Sequence, residues 1–255
     1  MRGAALTSAL LLLAAGGCGD DSDAAAEGGQ GELIVSAASS LEPAFTAYVE
    51  AAGIEAKQSF AGSDDLAAQI RQGVRPDLYA AANTSLPDEL HADGLVGEPV
   101  VFATNQLVLA VPSESDAGIE SVDDLAAAGV TIAIGDQGVP VGDYARELLA
   151  GLGRARSDAI LANVRSLEPD VAGIVGKLSQ GAVDAGFVYV TDVVATGGEL
   201  EAIELPPRLR PEVAYGAAPV EDADNPEGAK RFIAGLLEGD GAAALRAAGF
   251  APPPG

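Results

Sequence analysis

The chain has 255 residues, of which 48% are hydrophobic and 20% are charged, enough apolar material for one large domain or two small α/β lobes. Its 38 Asp and Glu residues against 14 Lys and Arg give a formal net charge of -24. Such a charge repels nucleic acid and anionic membrane surfaces, so a nucleic-acid partner is excluded and a globular protein is expected.

The N-terminus carries the features of an export signal. Arg2 precedes an apolar run from Ala4 to Ala15, which is too short to span a bilayer of about 30 Å. Cys18, the only cysteine, follows small residues and precedes a polar stretch, an arrangement that resembles a bacterial lipoprotein signal. We therefore predict a signal peptide over residues 1–17, lipidation of Cys18, and a flexible tether over residues 18–31. An ordinary signal peptide with an incidental cysteine is the alternative.

From residue 32 onward, short apolar runs alternate with helix-length segments, a pattern typical of βαβ units. Predicted strands in the first part are 32–38, 54–61 and 77–82, each followed by a helix, at 41–52, 64–72 and 87–93. The middle part begins with the apolar run 100–112 and continues with strands 130–135, 163–166 and 185–190 and helices 122–128, 142–152 and 171–179. A strand at 213–220, a helix at 226–237 and a final segment at 241–250 are expected to return to the first part.

This pattern predicts an α/β fold of two lobes joined by crossing strands. Residues 32–100 and 212–255 are expected in lobe 1, and residues 101–211 in lobe 2.

Small or hydroxylated residues recur at the predicted helix N-termini, in the strings AASSLEPAF, FAGSDDLAAQI, GDQGVPVGDYARE and SLEPDVAGI. A helix N-terminus has unpaired N–H groups and a positive partial charge, so several of them together bind an anion without a cationic side chain. All four turns follow predicted strands, where open α/β sheets place their ligand crevices. Taken singly, Ser40 and Ser63 are more simply helix N-caps, and Tyr189 a core residue.

The wording and order of these turns resemble the periplasmic molybdate-binding protein family of ABC importers. The matching strings are VSAASSLEPAF, SFAGSDDLAAQIRQG, RPDLYAAAN, NQLVLAVP, IAIGDQGVPVGDYARE and GFVYVTDVVA. The resemblance implies a two-lobed periplasmic-binding-protein type II fold, with mixed sheets, flanking helices and a ligand cleft between the lobes. It also implies molybdate or tungstate as the ligand, and the membrane subunits of an ABC permease as partners.

In that family two serine hydroxyls, backbone N–H groups and a tyrosine hydroxyl hold the oxyanion, with no charged ligand. Carried over by resemblance, the hydroxyls are those of Ser40, Ser63 and Tyr189, and the N–H groups are those of Val141 and Val171. Ser39 replaces Ser40 if the register differs by one position.

Two acidic residues, Asp64 and Asp65, follow Ser63 where the family often has small or hydroxyl residues. We expect both to point away from the cleft. An acceptor Asp in the cleft would instead favour phosphate.

The function implied is that of an exported monomer, lipid-anchored at the outer face of the cytoplasmic membrane or periplasmic, which needs no cofactor and coordinates no metal directly. Alternatives are a binding protein for sulfate, phosphate or another small anion, or for a neutral organic solute. An exported hydrolase is the alternative of another class. We expect no enzyme, because the sequence has no GxSxG, Walker or GxGxxG string and a triad would require His91, the only histidine.

Overall fold

The structure is a computed structural model and describes residues 31–254. The predicted signal peptide, Cys18, and the predicted tether up to residue 30 lie outside the described residues. None of the described helices combines the length and the apolar character needed to cross a membrane.

The first of two mixed sheets has the strand order β2-β1-β3-β10-β4. Its strands are β1 (Leu33–Ala38), β2 (Ala56–Ala61), β3 (Leu78–Ala81), β4 (Val100–Asn105) and β10 (Val213–Pro219). The helices of this lobe are α1 (Glu42–Ala52), α2 (Ser63–Arg71), α3 (Ser85–Ala92), α8 (Pro226–Leu237) and α9 (Asp240–Ala247). Strands β1, β2 and β3 are parallel, so their carboxyl ends meet at one edge of the sheet.

The second sheet has the order β7-β6-β8-β5-β9. Its strands are β5 (Leu107–Pro112), β6 (Ile132–Gly135), β7 (Val164–Glu168), β8 (Ala185–Tyr189) and β9 (Leu200–Ile203). Helices α4 (Pro140–Ala150), α5 (Arg154–Leu161), α6 (Val171–Ser179) and α7 (Val190–Ala195) belong to this lobe. The parallel strands β6, β7 and β8 again bring their carboxyl ends to one edge.

The apolar run 100–112 contains the point at which the chain passes from one sheet to the other. Strand β4 pairs antiparallel with β10, whereas β5 pairs with β8 and β9, and the change of partner occurs at Gln106. The predicted lobe boundary after residue 100 therefore places β4 in the wrong sheet. Hydropathy alone could not locate the change, because both strands contain buried apolar residues and the polar residues 104–106 between them do not specify which strands pair with either.

Three elements of the second lobe were not predicted: α5, α7 and β9. Helix α5 buries only Ile160, so its apolar periodicity is weak. Helix α7 follows β8 without an intervening loop, and its apolar residues continue those of the strand. The segment predicted as a helix at 122–128 is a shorter 3₁₀ turn, Val122–Ala126.

Tyr215 of β10 packs at the boundary between the two sheets. Its ring meets those of Phe102, Phe250 and Tyr189 at centroid distances of 6.2, 5.2 and 5.8 Å, each close to edge-on, a favoured geometry for aromatic pairs. Because Tyr189 ends β8 of the second sheet, these contacts connect the two lobes.

Asp77 holds three elements of the first lobe together. It is 1% exposed, and its carboxylate oxygens accept from the N–H groups of Ile34 and Asn225, both at 2.7 Å. Ile34 lies in β1 and Asn225 caps α8, so one carboxylate joins the sheet to the C-terminal helices.

Replacing Asp77 by Ala should lower the free energy of unfolding by roughly 3 kcal/mol, because two part-buried hydrogen bonds to its carboxylate are lost. Urea unfolding checks this value. The exposed Asp116→Ala is the control and should change stability by less than about 0.5 kcal/mol. Equal midpoints for the two variants would show that Asp77 does not tie these elements together.

Candidate functional site

A small cavity lies between the two lobes. It is lined at the ends of β1, β2 and β8, just after β3, and at the starts of α4 and α6. The space open to the centre of a water molecule is about 10 Å³, roughly one water-sized sphere. In this closed arrangement of the lobes, the cavity has no room for a sugar or a peptide.

All five residues predicted from the sequence line this one cavity: Ser40, Ser63, Val141, Val171 and Tyr189. They come from both lobes and from positions far apart in the chain. Ser39, the alternative to Ser40, also lines the cavity.

Neither serine is a helix N-cap, so the simpler interpretation of these residues is wrong. Ser63 is the first residue of α2, whose N-cap is Gly62, and its hydroxyl oxygen accepts from the N–H of Ala82 at 3.1 Å. Ser40 lies in the 3₁₀ turn Ser39–Leu41, with its hydroxyl 3.0 Å from that of Tyr215. Both serines are buried, and each hydroxyl is already tied to a neighbour in its own lobe.

The backbone N–H groups of Val141 and Val171 lie in the first turns of α4 and α6. The first turn of a helix leaves such groups without an intrahelical acceptor, and within residues 31–254 neither N–H donates to another backbone carbonyl. Arg146 ties the end of β6 to the first turn of α4 by donating to the carbonyls of Gly135 and Gly142, both at 2.9 Å. The positive ends of two helices therefore meet at the cavity.

The hydroxyl of Tyr189 is buried and has no hydrogen-bond partner among the described residues. A buried hydroxyl without a partner costs about 1–3 kcal/mol, so a group that accepts from Tyr189 stabilises this arrangement. Burial, and after it the neighbouring Tyr215, raises the pKa of Tyr189 well above its ordinary value. The phenol is therefore protonated and available as a donor at neutral pH.

One carboxylate lines the cavity, that of Asp170. It is the N-cap of α6, and its Oδ1 accepts from the N–H of Gly173 at 2.9 Å. Sequence reasoning did not single out this residue, although an Asp directly before an apolar helix is a recognisable N-cap signal.

Asp64 and Asp65, the two acidic residues that cast doubt on an anion site, are absent from the cavity lining. Asp65 is exposed, and Asp64 is half-buried. Burial raises the pKa of Asp64, and among the described residues one of its oxygens has no hydrogen-bond partner.

The lobes make direct contact beside the cavity. A Cβ added to Gly62 would lie 2.3 Å from the carbonyl oxygen of Pro169 in the opposite lobe, which is closer than such atoms can approach. Burial raises the pKa of Tyr144 in α4 to about 12, and the nearby backbone of Ala214 in β10, in the other lobe, opposes this rise. The structure therefore shows the two lobes closed on one another.

Residues 33–251 match the family model of the bacterial extracellular solute-binding proteins. The chain belongs to this family. The proteins of the family bind solutes, and no group of three or more His, Cys, Asp or Glu side chains within the described part of the chain is placed to hold a metal ion.

Two relatives carry the name molybdate-binding protein ModA. That of Mycobacterium tuberculosis (strain H37Rv) is 31% identical over 258 residues, which cover 97% of each chain. That of Escherichia coli (strain K12) is 30% identical over 213 residues, 77% of this chain and 80% of the relative. These matches confirm the predicted resemblance to the periplasmic molybdate-binding protein family.

The predicted fold class is also confirmed. The structure of the Azotobacter vinelandii periplasmic molybdate-binding protein superposes with a TM-score of 0.77 at 20% identity, covering 88% of this chain and 100% of that one. This solute-binding protein therefore has the two-lobed α/β fold of periplasmic binding proteins.

Asp192 is a buried acid that contacts the backbone of the cavity residue Tyr189. It follows Tyr189 by three positions and accepts from the Tyr189 N–H at 2.9 Å. Burial raises the pKa of Asp192 to about 7. Between about pH 4 and 7, Asp192 is consequently protonated in the native protein and ionised in the unfolded chain. Its contribution to stability is therefore greatest below this window and falls as the pH rises through it.

Between about pH 4 and 7, the free energy of unfolding should fall by at most about 1.4 kcal/mol per pH unit through this group. Asp192→Asn should flatten this pH dependence. The amide does not titrate, and its oxygen still accepts from Tyr189 N–H. Urea unfolding at a series of pH values measures the slope, with the exposed Asp65→Asn as the matched control. A slope for Asp192→Asn equal to that of wild type would show that Asp192 does not titrate in this range.

Proposed function

We propose that this protein captures molybdate between its lobes and delivers it to the membrane permease subunits of an ABC importer, with tungstate as a second ligand of equal charge. The observation that carries the proposal is the small interlobe cavity, whose polar lining is dominated by hydrogen-bond donors. The names of the relatives support molybdate as the anion.

The proposed ligand groups are the hydroxyls of Ser40, Ser63 and Tyr189 and the N–H groups of Val141 and Val171. Desolvating a dianion is costly unless hydrogen bonds replace its water shell, and bonds to a charged acceptor are about twice as strong as neutral ones. Two serine oxygens already have partners in their own lobe, and the Tyr189 hydroxyl has none in the described chain. These contacts favour a ligand that only accepts hydrogen bonds.

Hinge closure completes the site, because the proposed ligands come from both lobes. The chain crosses between sheets at Gln106 and again between β9 and β10, and a bend at these crossings separates Ser63 from Val171 without unfolding either lobe. In the closed arrangement Gly62 lies close to the Pro169 carbonyl, and Tyr144 of α4 lies near the backbone of Ala214 in β10.

We further propose that the protein is exported by the signal at residues 1–17, lipidated at Cys18 and held by the tether at the outer face of the cytoplasmic membrane, where it acts as a monomer. The family description, which is that of extracellular proteins, supports export. Mass spectrometry of the N-terminus, from membranes of cells that express the full chain, tests the lipidation.

The anion assignment predicts selective thermal stabilisation. Molybdate and tungstate should raise the melting temperature, because a ligand at about 100 times its dissociation constant stabilises the native state by roughly 2.7 kcal/mol. Sulfate and phosphate at equal concentration should have little effect. Equal shifts with all four anions, or none, would contradict molybdate as the physiological ligand.

Tyr189→Phe tests the proposed phenol contact while keeping the ring. The variant should bind molybdate more weakly by roughly 1.5–3 kcal/mol, the range for a hydrogen bond to a charged group. It should also lose most of the ligand-induced change in tyrosine fluorescence, since the chain has no Trp. Isothermal titration measures the affinity.

Tyr48→Phe is the matched control, because the Tyr48 hydroxyl contacts the Phe232 carbonyl at 3.4 Å within the first lobe. Tyr144→Phe is less suitable as a control, since Tyr144 of α4 lies near the backbone of Ala214 in the other lobe. Wild-type affinity in Tyr189→Phe would show that Tyr189 is a core residue only.

A further inference from the structure

We propose that Tyr215 and Asn105 are positioning residues that set the direction of the hydrogen bonds at Ser40, so that Ser40 donates its proton to the bound anion. Neither residue lines the cavity. The inference rests on the proposed anion site and identifies which property of the ligand that site selects.

The hydrogen-bond chain starts at Asn105, the last residue of β4 before the polypeptide crosses to the second lobe. The Asn105 Oδ1 accepts from the N–H of Gln106 at 2.8 Å, so the other end of the amide is the NH₂ group, which can only donate. That group donates to the Thr191 hydroxyl at 2.9 Å and to the Tyr215 hydroxyl at 3.4 Å. The oxygen of Tyr215 therefore faces a donor.

The Tyr215 hydroxyl has one proton, and the Ser40 oxygen lies 3.0 Å from it. Because the Tyr215 oxygen accepts from Asn105, its own proton is directed to Ser40. Ser40 then accepts from Tyr215, and its proton is left for the cavity. The ring of Tyr215 is completely buried among three aromatic rings, which hold the hydroxyl in place.

The hydroxyl of Ser63 is also oriented to donate to a ligand, through a different contact. Its oxygen accepts from the backbone N–H of Ala82 at 3.1 Å, so its proton too is available to a ligand. With Tyr189 as a third hydroxyl donor, the cavity provides three hydroxyl protons and leaves the serine oxygens occupied. The one carboxylate of the described lining, Asp170, is engaged as the N-cap of α6, where its Oδ1 accepts from the Gly173 N–H. An anion that carries a proton needs an acceptor. The chain of hydrogen bonds from Asn105 through Tyr215 to Ser40, here called the relay, therefore favours fully deprotonated tetrahedral oxyanions, such as sulfate, over hydrogen phosphate of similar shape.

Tyr215→Phe is the direct test, because it removes the hydroxyl and keeps the ring. The dissociation constant for molybdate should rise by about tenfold, the upper range for one hydrogen bond. The preference for sulfate over phosphate, measured by competition against molybdate at neutral pH, should fall several-fold because Ser40 gains a free lone pair. A purely structural effect would weaken all three anions by the same factor.

Tyr79→Phe is the matched control. Its hydroxyl is also buried beside a cavity serine, but it donates to the backbone carbonyl of Ser63 at 2.7 Å and not to a serine hydroxyl. The sulfate-to-phosphate preference of Tyr79→Phe should equal that of wild type.

A double-mutant cycle separates action through Ser40 from a general disturbance. In a Ser40→Ala background, Tyr215→Phe should cost little further affinity, because the group that it positions is already gone. Asn105→Ala, which removes the first donor of the relay, should shift the anion preference in the same direction. This variant replaces Tyr215→Phe as the test if Tyr215→Phe does not fold.

An unchanged molybdate affinity and anion preference in Tyr215→Phe would overturn the relay while leaving the proposed function intact. So would an additive loss in the cycle. Failure of wild type to bind molybdate or any other tetrahedral anion would overturn the proposed function, and the relay with it.

Discussion

The binding site depends on one constraint: an anion enclosed without a cationic side chain must be met by hydrogen-bond donors that have no better acceptor within the protein. No Lys, Arg or His is among the residues that line the described cavity. The chain meets the constraint by engaging the oxygen of each serine with a donor from its own lobe and leaving the Tyr189 hydroxyl without a partner among the described residues. Each group is preorganised, so little rearrangement is needed when an anion enters.

The two-sheet architecture supplies this preorganisation. In each lobe the parallel strands end at one edge, so the turns that follow them place helix N-termini and serine hydroxyls together. The crossings between the sheets allow these two half-sites to separate, and the closed contact between Gly62 and Pro169 limits how near they come. Small residues at this contact are therefore as important as the polar ones, since a single methyl group at Gly62 would oppose closure.

Much of this arrangement follows from the sequence, because the features involved are local. Ser63 at the start of α2 and the turns that lead into α4 and α6 are visible in the sequence between a strand and a helix, and α6 begins at the predicted Val171. The change of sheet at Gln106 is not local, because it depends on which strands pair with β4 and β5.

The hydrogen-bond partners of the site residues could not be predicted from the sequence for the same reason. Tyr215 lies 175 positions from Ser40, and only the antiparallel return of β10 brings the two hydroxyls together. The sequence could suggest that Ser40 donates to a ligand, but which atom receives and which gives along Asn105, Tyr215 and Ser40 is a property of the folded chain.

The most direct test of a site made of neutral donors is the dependence of molybdate affinity on sodium chloride concentration. The chain has a formal net charge of -24, which repels a dianion over distances that salt screens, with a Debye length of about 10 Å at 0.1 M. If uncharged donors hold the anion, added salt removes repulsion without weakening the contacts, so the dissociation constant should stay constant or fall. A dissociation constant that rises steeply with salt would show that cationic side chains hold the anion, and would contradict the account.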